Sequence, residues 1–146
     1  MKMKTLASIA FAAALALPFA AQAQDSSYAP GSVWNVSYIK VEPGQFENYM
    51  DYLKGAYKKA MDYQVKEGMI VSWHIFAVNN RREGEPDLML TVETRDYMKN
   101  ADQLAMQKKV QEFLAMDTHK MDAGSGERKK MRTLAGSAQM QELVFK

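Results

Sequence analysis

The stretch that most constrains the fold is residues 68–78 (GMIVSWHIFAV), because two kinds of side chain alternate along it. Its odd-numbered positions are all apolar, whereas its even-numbered positions mix apolar residues with Ser72 and His74. Successive side chains of a β-strand point to opposite faces of the sheet. The stretch therefore predicts a central strand with one face packed in a core and the other face partly polar.

The start of the chain matches a secretory signal peptide. Lys2 and Lys4 form a basic start, residues 5–20 are almost wholly apolar, and Ala21-Gln22-Ala23 has the small-residue pattern that signal peptidase accepts. The apolar run of about 16 residues is shorter than the roughly 20 that a membrane-spanning helix needs. We therefore expect residues 1–23 to be removed, and the mature protein to be periplasmic or secreted without a membrane anchor.

Composition excludes several classes of function. The chain has no cysteine, so disulfides and cysteine metal ligands are excluded. The formal net charge of +2 disappears with Lys2 and Lys4, and a neutral domain argues against a nucleic-acid partner. The two histidines are far apart, and the sequence has no phosphate-binding, dinucleotide-binding or hydrolase motif. Neither a metal site nor a bound cofactor is therefore predicted.

The rest of the chain alternates strand and helix patterns. Residues 24–31 are polar with a Pro-Gly end and predict a flexible leader, and residues 32–146 predict one domain. Hydrophobic periodicity predicts strands at 32–41, 68–78, 87–95 and 140–146, with helices at about 46–67 and 100–120. Residues 121–136 contain three glycines and a basic cluster at 128–132, and they predict a solvated loop.

This order of elements is that of the ferredoxin-like βαββαβ motif, an α+β fold. Right-handed crossovers place both helices on one face of a four-stranded antiparallel sheet and leave the other face bare. Trp34 and Trp73 are expected in the core on the helix side. A bare, partly apolar face usually has a partner, and the simplest partner is a second copy of the chain, docked sheet against sheet. By alternation, the bare face is expected to carry Ser72, His74, Phe76, Met89, Thr91 and Glu93. By polarity, Asn35 and Ser37 are expected to join it from the first strand.

Three segments resemble the dimeric α/β-barrel superfamily, which includes antibiotic-biosynthesis-monooxygenase-like, heme-degrading and NIPSNAP-like proteins. They are the strand-to-helix turn at 38–44 (YIKVEPG), the entry to the second strand at 67–72 (EGMIVS), and the C-terminal residues 134–136 (LAG) and 140–146 (MQELVFK). In detail the chain is similar to small exported bacterial members of that superfamily. The resemblance implies a homodimer whose two sheets enclose a barrel-like cavity.

The bare face offers one candidate acid–base pair. His74 and Glu93 are expected on neighbouring strands, where the carboxylate could orient and charge the imidazole, as in enzymes that work near neutral pH. The alternative is a structural pair, or hydrogen bonds to Ser72 and Thr91, that sets the register of the dimer.

The heme-degrading relatives place an Asn, a Trp and a His around the porphyrin. Counted back from the Pro-Gly turn, Ser37 stands where that Asn would fall, and the third strand has no Trp. His119 could mimic the ligand histidine, but a helix-end position favoured by the helix dipole explains it better. No heme is therefore expected.

Three functions stay open at this point. The first is a homodimeric barrel that binds a small, largely apolar or aromatic molecule between its sheets, in a cavity lined by the residues of the bare face. The second is a cofactor-independent, monooxygenase-like oxidoreductase in which His74 is the base on a phenolic or quinone-like substrate and Glu93 orients it. The third is a structural dimer in which the same side chains fill the barrel.

Overall fold

The computed structural model describes residues 26–146, so the predicted signal peptide lies outside the described residues. The strands form one antiparallel four-stranded sheet in the order β2-β3-β1-β4. The protein therefore has the expected α+β class, and the sheet with its helices fits a ferredoxin-like α+β fold. In chain order, the elements are β1 (Tyr28–Val41), α1 (Phe46–Tyr52), a π-helical stretch (Leu53–Tyr57), α2 (Lys58–Lys66), β2 (Ser72–Ala77), β3 (Leu88–Thr94), α3 (Asn100–Leu114), α4 (Thr118–Arg128) and β4 (Arg132–Phe145).

The β1–β4 pair is longer than the sequence pattern predicts. β1 begins at Tyr28, within the segment expected to be a leader, and β4 begins at Arg132, within the segment expected to be a loop. The two strands pair from Tyr28 opposite Phe145 to Val41 opposite Arg132. Backbone pairing along a long partner satisfies the N–H and C=O groups of residues whose own strand preference is weak.

The hydrophobic core lies between the first helical region and the middle of the sheet. Tyr49 of α1 and Leu53 of the π-helical stretch are each 1% exposed. They pack against the buried side chains of Ile39, Leu88 and Leu90 on β1 and β3. We call this side of the sheet the helix side, and the opposite side the open face.

The helix end predicted at Gly68 is confirmed. Gly68 has a φ of +67°, its N–H donates to the carbonyl of Val65 (3.0 Å), and the N–H of Met69 donates to the carbonyl of Gln64 (2.9 Å). These two bonds form a Schellman motif, which closes α2. Residues 69–71 connect the end of the helix to the sheet, so β2 begins at Ser72 and not at residue 68.

The segment after β3 forms two helices, not one helix and a loop. Ala115 adopts the left-handed conformation (φ 52°, ψ 40°) and ends α3, and the Asp117 side chain accepts a hydrogen bond from the N–H of Lys120 (2.8 Å) and caps α4. α4 runs through Gly124, so the expected solvated loop is wrong for this part of the segment. Within residues 26–146, no helix has the length and apolar character needed to cross a membrane.

Candidate functional site

Six of the predicted site residues share the open face. Residues directly opposite each other in antiparallel strands lie on the same side of the sheet. The pairs between β2 and β3 are Ser72 with Glu93, His74 with Thr91, and Phe76 with Met89. The alternate residues of β2, Trp73 and Ile75, are on the helix side, where Trp73 meets the Tyr57 ring edge-on and Ile75 packs against the core.

Ser37 does not lie on the open face, and Trp34 does. Trp34 pairs with Glu93 and shares its face, whereas Ser37 pairs with the core residue Leu90 on the helix side. Both expectations were therefore wrong, and so was the one for Asn35, which pairs with Val92 on the helix side. On the helix side of β1, the Asn35 side chain accepts a hydrogen bond from the side chain of Gln139 in the edge strand β4 (2.8 Å).

Three neighbouring rings form a row on the open face, which we call the aromatic row (Trp34, His74 and Phe76). The centroid of the His74 ring lies 6.1 Å from that of Trp34 and 5.7 Å from that of Phe76, with interplanar angles of 24° and 37°. His74 is exposed, and Phe76 is 47% exposed. Neighbouring aromatic rings that are partly exposed offer a surface to an aromatic molecule or to another protein.

Glu93 is held by Ser72 and not by His74. The Ser72 hydroxyl donates to Glu93 Oε2 at 2.6 Å. That hydrogen bond, assisted by the hydroxyl of Ser32, lowers the pKa of Glu93 below its ordinary value, and the charge of His74 contributes less. The buried Thr91 donates to the backbone carbonyl of His74 (3.4 Å), and the imidazole has no hydrogen bond to any other residue in the range 26–146.

We expect Ser72→Ala to raise the pKa of Glu93 towards its ordinary value, because the substitution removes a donor to the carboxylate. A carboxyl group whose pKa is lowered by folding stabilises the folded state above its unfolded pKa, and this stability is lost as pH falls through the folded pKa. Ser72→Ala should therefore be less stable than the wild type near neutral pH, with a smaller difference in acid. An NMR titration of Glu93 and urea unfolding at both pH values check this, and an unchanged Glu93 pKa would contradict it.

The two histidines lie on opposite sides of the sheet. His74 is on the open face, and His119 is exposed in the first turn of α4. A helix N-terminus disfavours a protonated histidine, so the helix-end explanation for His119 is wrong. In the part of the chain that the structure describes, no group of three or more histidine and carboxylate side chains lies close enough to hold a metal ion.

A second candidate site, which the sequence analysis missed, lies between the helices. We call it the helical cavity: a space of about 610 Å³ bordered by α2, the π-helical stretch, α3 and α4. Tyr63 of α2 and Phe113 of α3 stack at 4.0 Å between centroids and hold these two helices together. The one signal in the sequence was the count of 12 methionines, which indicates adaptable apolar surface without giving its place. Five of them line the cavity: Met61, Met106, Met116, Met121 and Met131.

Arg128 and two tyrosines bring polar groups to the helical cavity. The Arg128 guanidinium lies 5.2 Å from the centroid of the Tyr52 ring. Burial raises the pKa of Tyr57 to about 12, and the neighbouring Tyr49 and Tyr52 act in the same direction. Tyr57 is therefore a neutral phenol at physiological pH.

No protein-family model matches this chain, and no curated protein matches it. Among solved structures, the chain is similar to the crystal structure of HapK from Hahella chejuensis, with 9% sequence identity and a TM-score of 0.45. The similarity covers 75% of this chain and 91% of that chain. We draw nothing further from a likeness of this extent.

Proposed function

We propose that this protein is an exported homodimer that binds a small, largely apolar molecule between the open faces of its two sheets. The observation that carries the proposal is the aromatic row, in which the rings of Trp34, His74 and Phe76 lie side by side on the side of the sheet away from the core. Export rests on the pattern of residues 1–23.

The chemistry of the open face supports a second copy as the partner. In an isologous dimer each patch meets the same patch of the other copy, so a face with few charges avoids repulsion between like charges. The Glu93 carboxylate already accepts a hydrogen bond from the Ser72 hydroxyl. β4 adds the small residues Gly136 and Ala138 to the same face, opposite Tyr38 and Val36 of β1, and small residues leave room for a ligand between two sheets.

The oxidoreductase alternative has less support from the geometry. A general base needs a partner that orients its ring. No hydrogen bond joins Glu93 to His74 among residues 26–146, and the Glu93 carboxylate accepts from Ser72 instead. The structural-dimer alternative differs from our proposal only in whether the space between the sheets is filled.

Phe76→Asp tests the dimer. We expect it to raise the dimer dissociation constant by at least about tenfold, because the symmetric interface would bring two new carboxylates together. Analytical ultracentrifugation over a range of protein concentrations measures this. Leu104→Asp is the matched control, since it adds the same charge on α3 at a side chain that is 66% exposed. A wild-type monomer at micromolar concentration, or equal dissociation constants for the two variants, would overturn the dimer.

The ligand part of the proposal is tested through the same variants. The chain has two tryptophans, so Trp73→Phe leaves Trp34 as the only tryptophan reporter, and it lies in the aromatic row. Uncharged 1-naphthol should quench its emission in the dimer but not after the further change Phe76→Asp. A stable dimer in which 1-naphthol leaves Trp34 emission unchanged would sink the binding role and favour a filled barrel.

A further inference from the structure

We propose that the helical cavity is a separate binding site for an amphipathic monocarboxylate, a molecule of the fatty-acid class with an elongated apolar body and one anionic group. The sheet separates this cavity from the open face, because Tyr57 and Met131 of the cavity wall pack against the core on the helix side. The site therefore neither needs nor excludes the proposed dimer.

The size and lining of the cavity suit an apolar body. Small-molecule sites usually have volumes of ~300–1,000 Å³ and mostly apolar walls, and this cavity has about 610 Å³. Val110 and Leu114 of α3 add branched aliphatic surface to the five methionines. Methionine side chains are unbranched and adapt to the shape of what they contact.

Arg128 supplies the positive charge that would hold the anionic group. Its guanidinium borders the cavity over the Tyr52 ring and forms no ion pair within residues 26–146. Glu127 also borders the cavity, but both its carboxylate oxygens accept hydrogen bonds from Lys130, at 2.9 and 2.8 Å. A guanidinium group matches a carboxylate with two parallel hydrogen bonds, which an uncharged head group cannot provide.

A second guanidinium group, that of Arg132, acts on the same tyrosine as Arg128. The charges of Arg132 and Arg128 both act on the hydroxyl of the buried Tyr49, and they oppose the rise in its pKa that burial causes. The Nε of Arg132 is buried without a hydrogen-bond partner among the described residues. A buried donor without an acceptor is destabilising, so the Nε of Arg132 is a donor that the contacts of the described residues leave unsatisfied.

The test uses dodecanoate and its uncharged analogue dodecanol as probes. Trp34→Phe leaves Trp73 as the only tryptophan, and its ring lies 5.8 Å from that of Tyr57, which lines the cavity. We expect dodecanoate to change Trp73 emission and to saturate at one molecule per chain by calorimetry. Dodecanol should bind about tenfold more weakly, because it loses the charge-assisted hydrogen bonds.

Substitutions of Arg128 locate the charge. Arg128→Gln should weaken dodecanoate binding about tenfold and leave dodecanol binding unchanged. Arg128→Lys should give an intermediate affinity, because the charge stays but the two parallel hydrogen bonds of the guanidinium are lost. Lys129→Gln is the matched control, since it removes an exposed charge from the adjacent residue. If Arg128→Gln does not fold, the comparison of the two probes on the otherwise native protein still decides. Absence of saturable dodecanoate binding, equal affinities for both probes, or a response at Trp34 and not at Trp73 would overturn the proposal.

Discussion

Leu53→Ala is expected to lower the free energy of unfolding by about 2–5 kcal/mol, the range found when a buried leucine is truncated in a packed core. The Leu53 side chain is 1% exposed and packs with Tyr49 of α1 and with Leu88 and Leu90 of β3. The loss has two sources, the apolar surface no longer buried and the cavity that remains where the neighbours cannot close in.

Urea unfolding of the wild type and the variant, at one fixed protein concentration, measures this difference. Leu104→Ala makes the same chemical change at a helical side chain that is 66% exposed. A surface substitution of this kind should stay within about 0.5 kcal/mol of the wild type. Equal losses of unfolding free energy for Leu53→Ala and Leu104→Ala would show that the Leu53 side chain is not part of a packed core.

Stability should also fall in alkali because of Tyr57. Burial, with help from Tyr49 and Tyr52, raises the pKa of Tyr57 from 10.0 to about 12. A group whose folded pKa lies above its unfolded pKa stabilises the fold fully below the unfolded value and loses this contribution as pH rises through the folded value. The window is therefore from about pH 10 to about pH 12, and the expected loss is roughly 2–3 kcal/mol.

Urea unfolding at several pH values across this window, for the wild type and for Tyr57→Phe, provides the measurement. Tyr57→Phe removes the ionisable hydroxyl, so its alkaline loss of stability should be smaller than that of the wild type by this amount. Tyr97→Phe, at a side chain that is 53% exposed, is the matched control and should match the wild-type profile. If the stability of Tyr57→Phe and of the wild type changed with pH in parallel, the raised pKa of Tyr57 would be contradicted.

The sequence was sufficient to assign side chains to the two sides of the sheet where one face of a strand is apolar and the other is partly polar. On β2, Trp73 and Ile75 alternate with Ser72, His74 and Phe76, and the structure places these sets on opposite sides. On β1 the same argument failed, because β4 is an edge strand and polar side chains can lie beside it on the helix side. The face of Ser37 depended on pairing with Leu90, which polarity alone does not reveal.

The hydrophobic periodicity of the sequence could not predict the helical cavity, for a different reason. The walls of the cavity depend on the turn at Ala115, which separates α3 from α4. Alanine seldom adopts the left-handed conformation, so the local sequence did not predict that one helix ends and a second begins there. Asp117 before Thr118 was a usable helix-start signal, but the glycines after it outweighed that signal. A cavity is also a property of how helices are placed relative to one another, which the period of a single helix does not contain.

The π-helical stretch has a consequence for how this chain tolerates changes in length. In an uninterrupted α-helix, residues seven positions apart, such as Leu53 and Ala60, face almost the same way. A π turn closes its hydrogen bonds one residue later and so shifts the phase of the next helical residues, and here Leu53 packs on the sheet whereas Ala60 lines the helical cavity. A one-residue deletion that restored a regular helix would rotate the cavity wall back towards the sheet. The phase of a single helix thus decides whether Ala60 lines the helical cavity or faces the sheet.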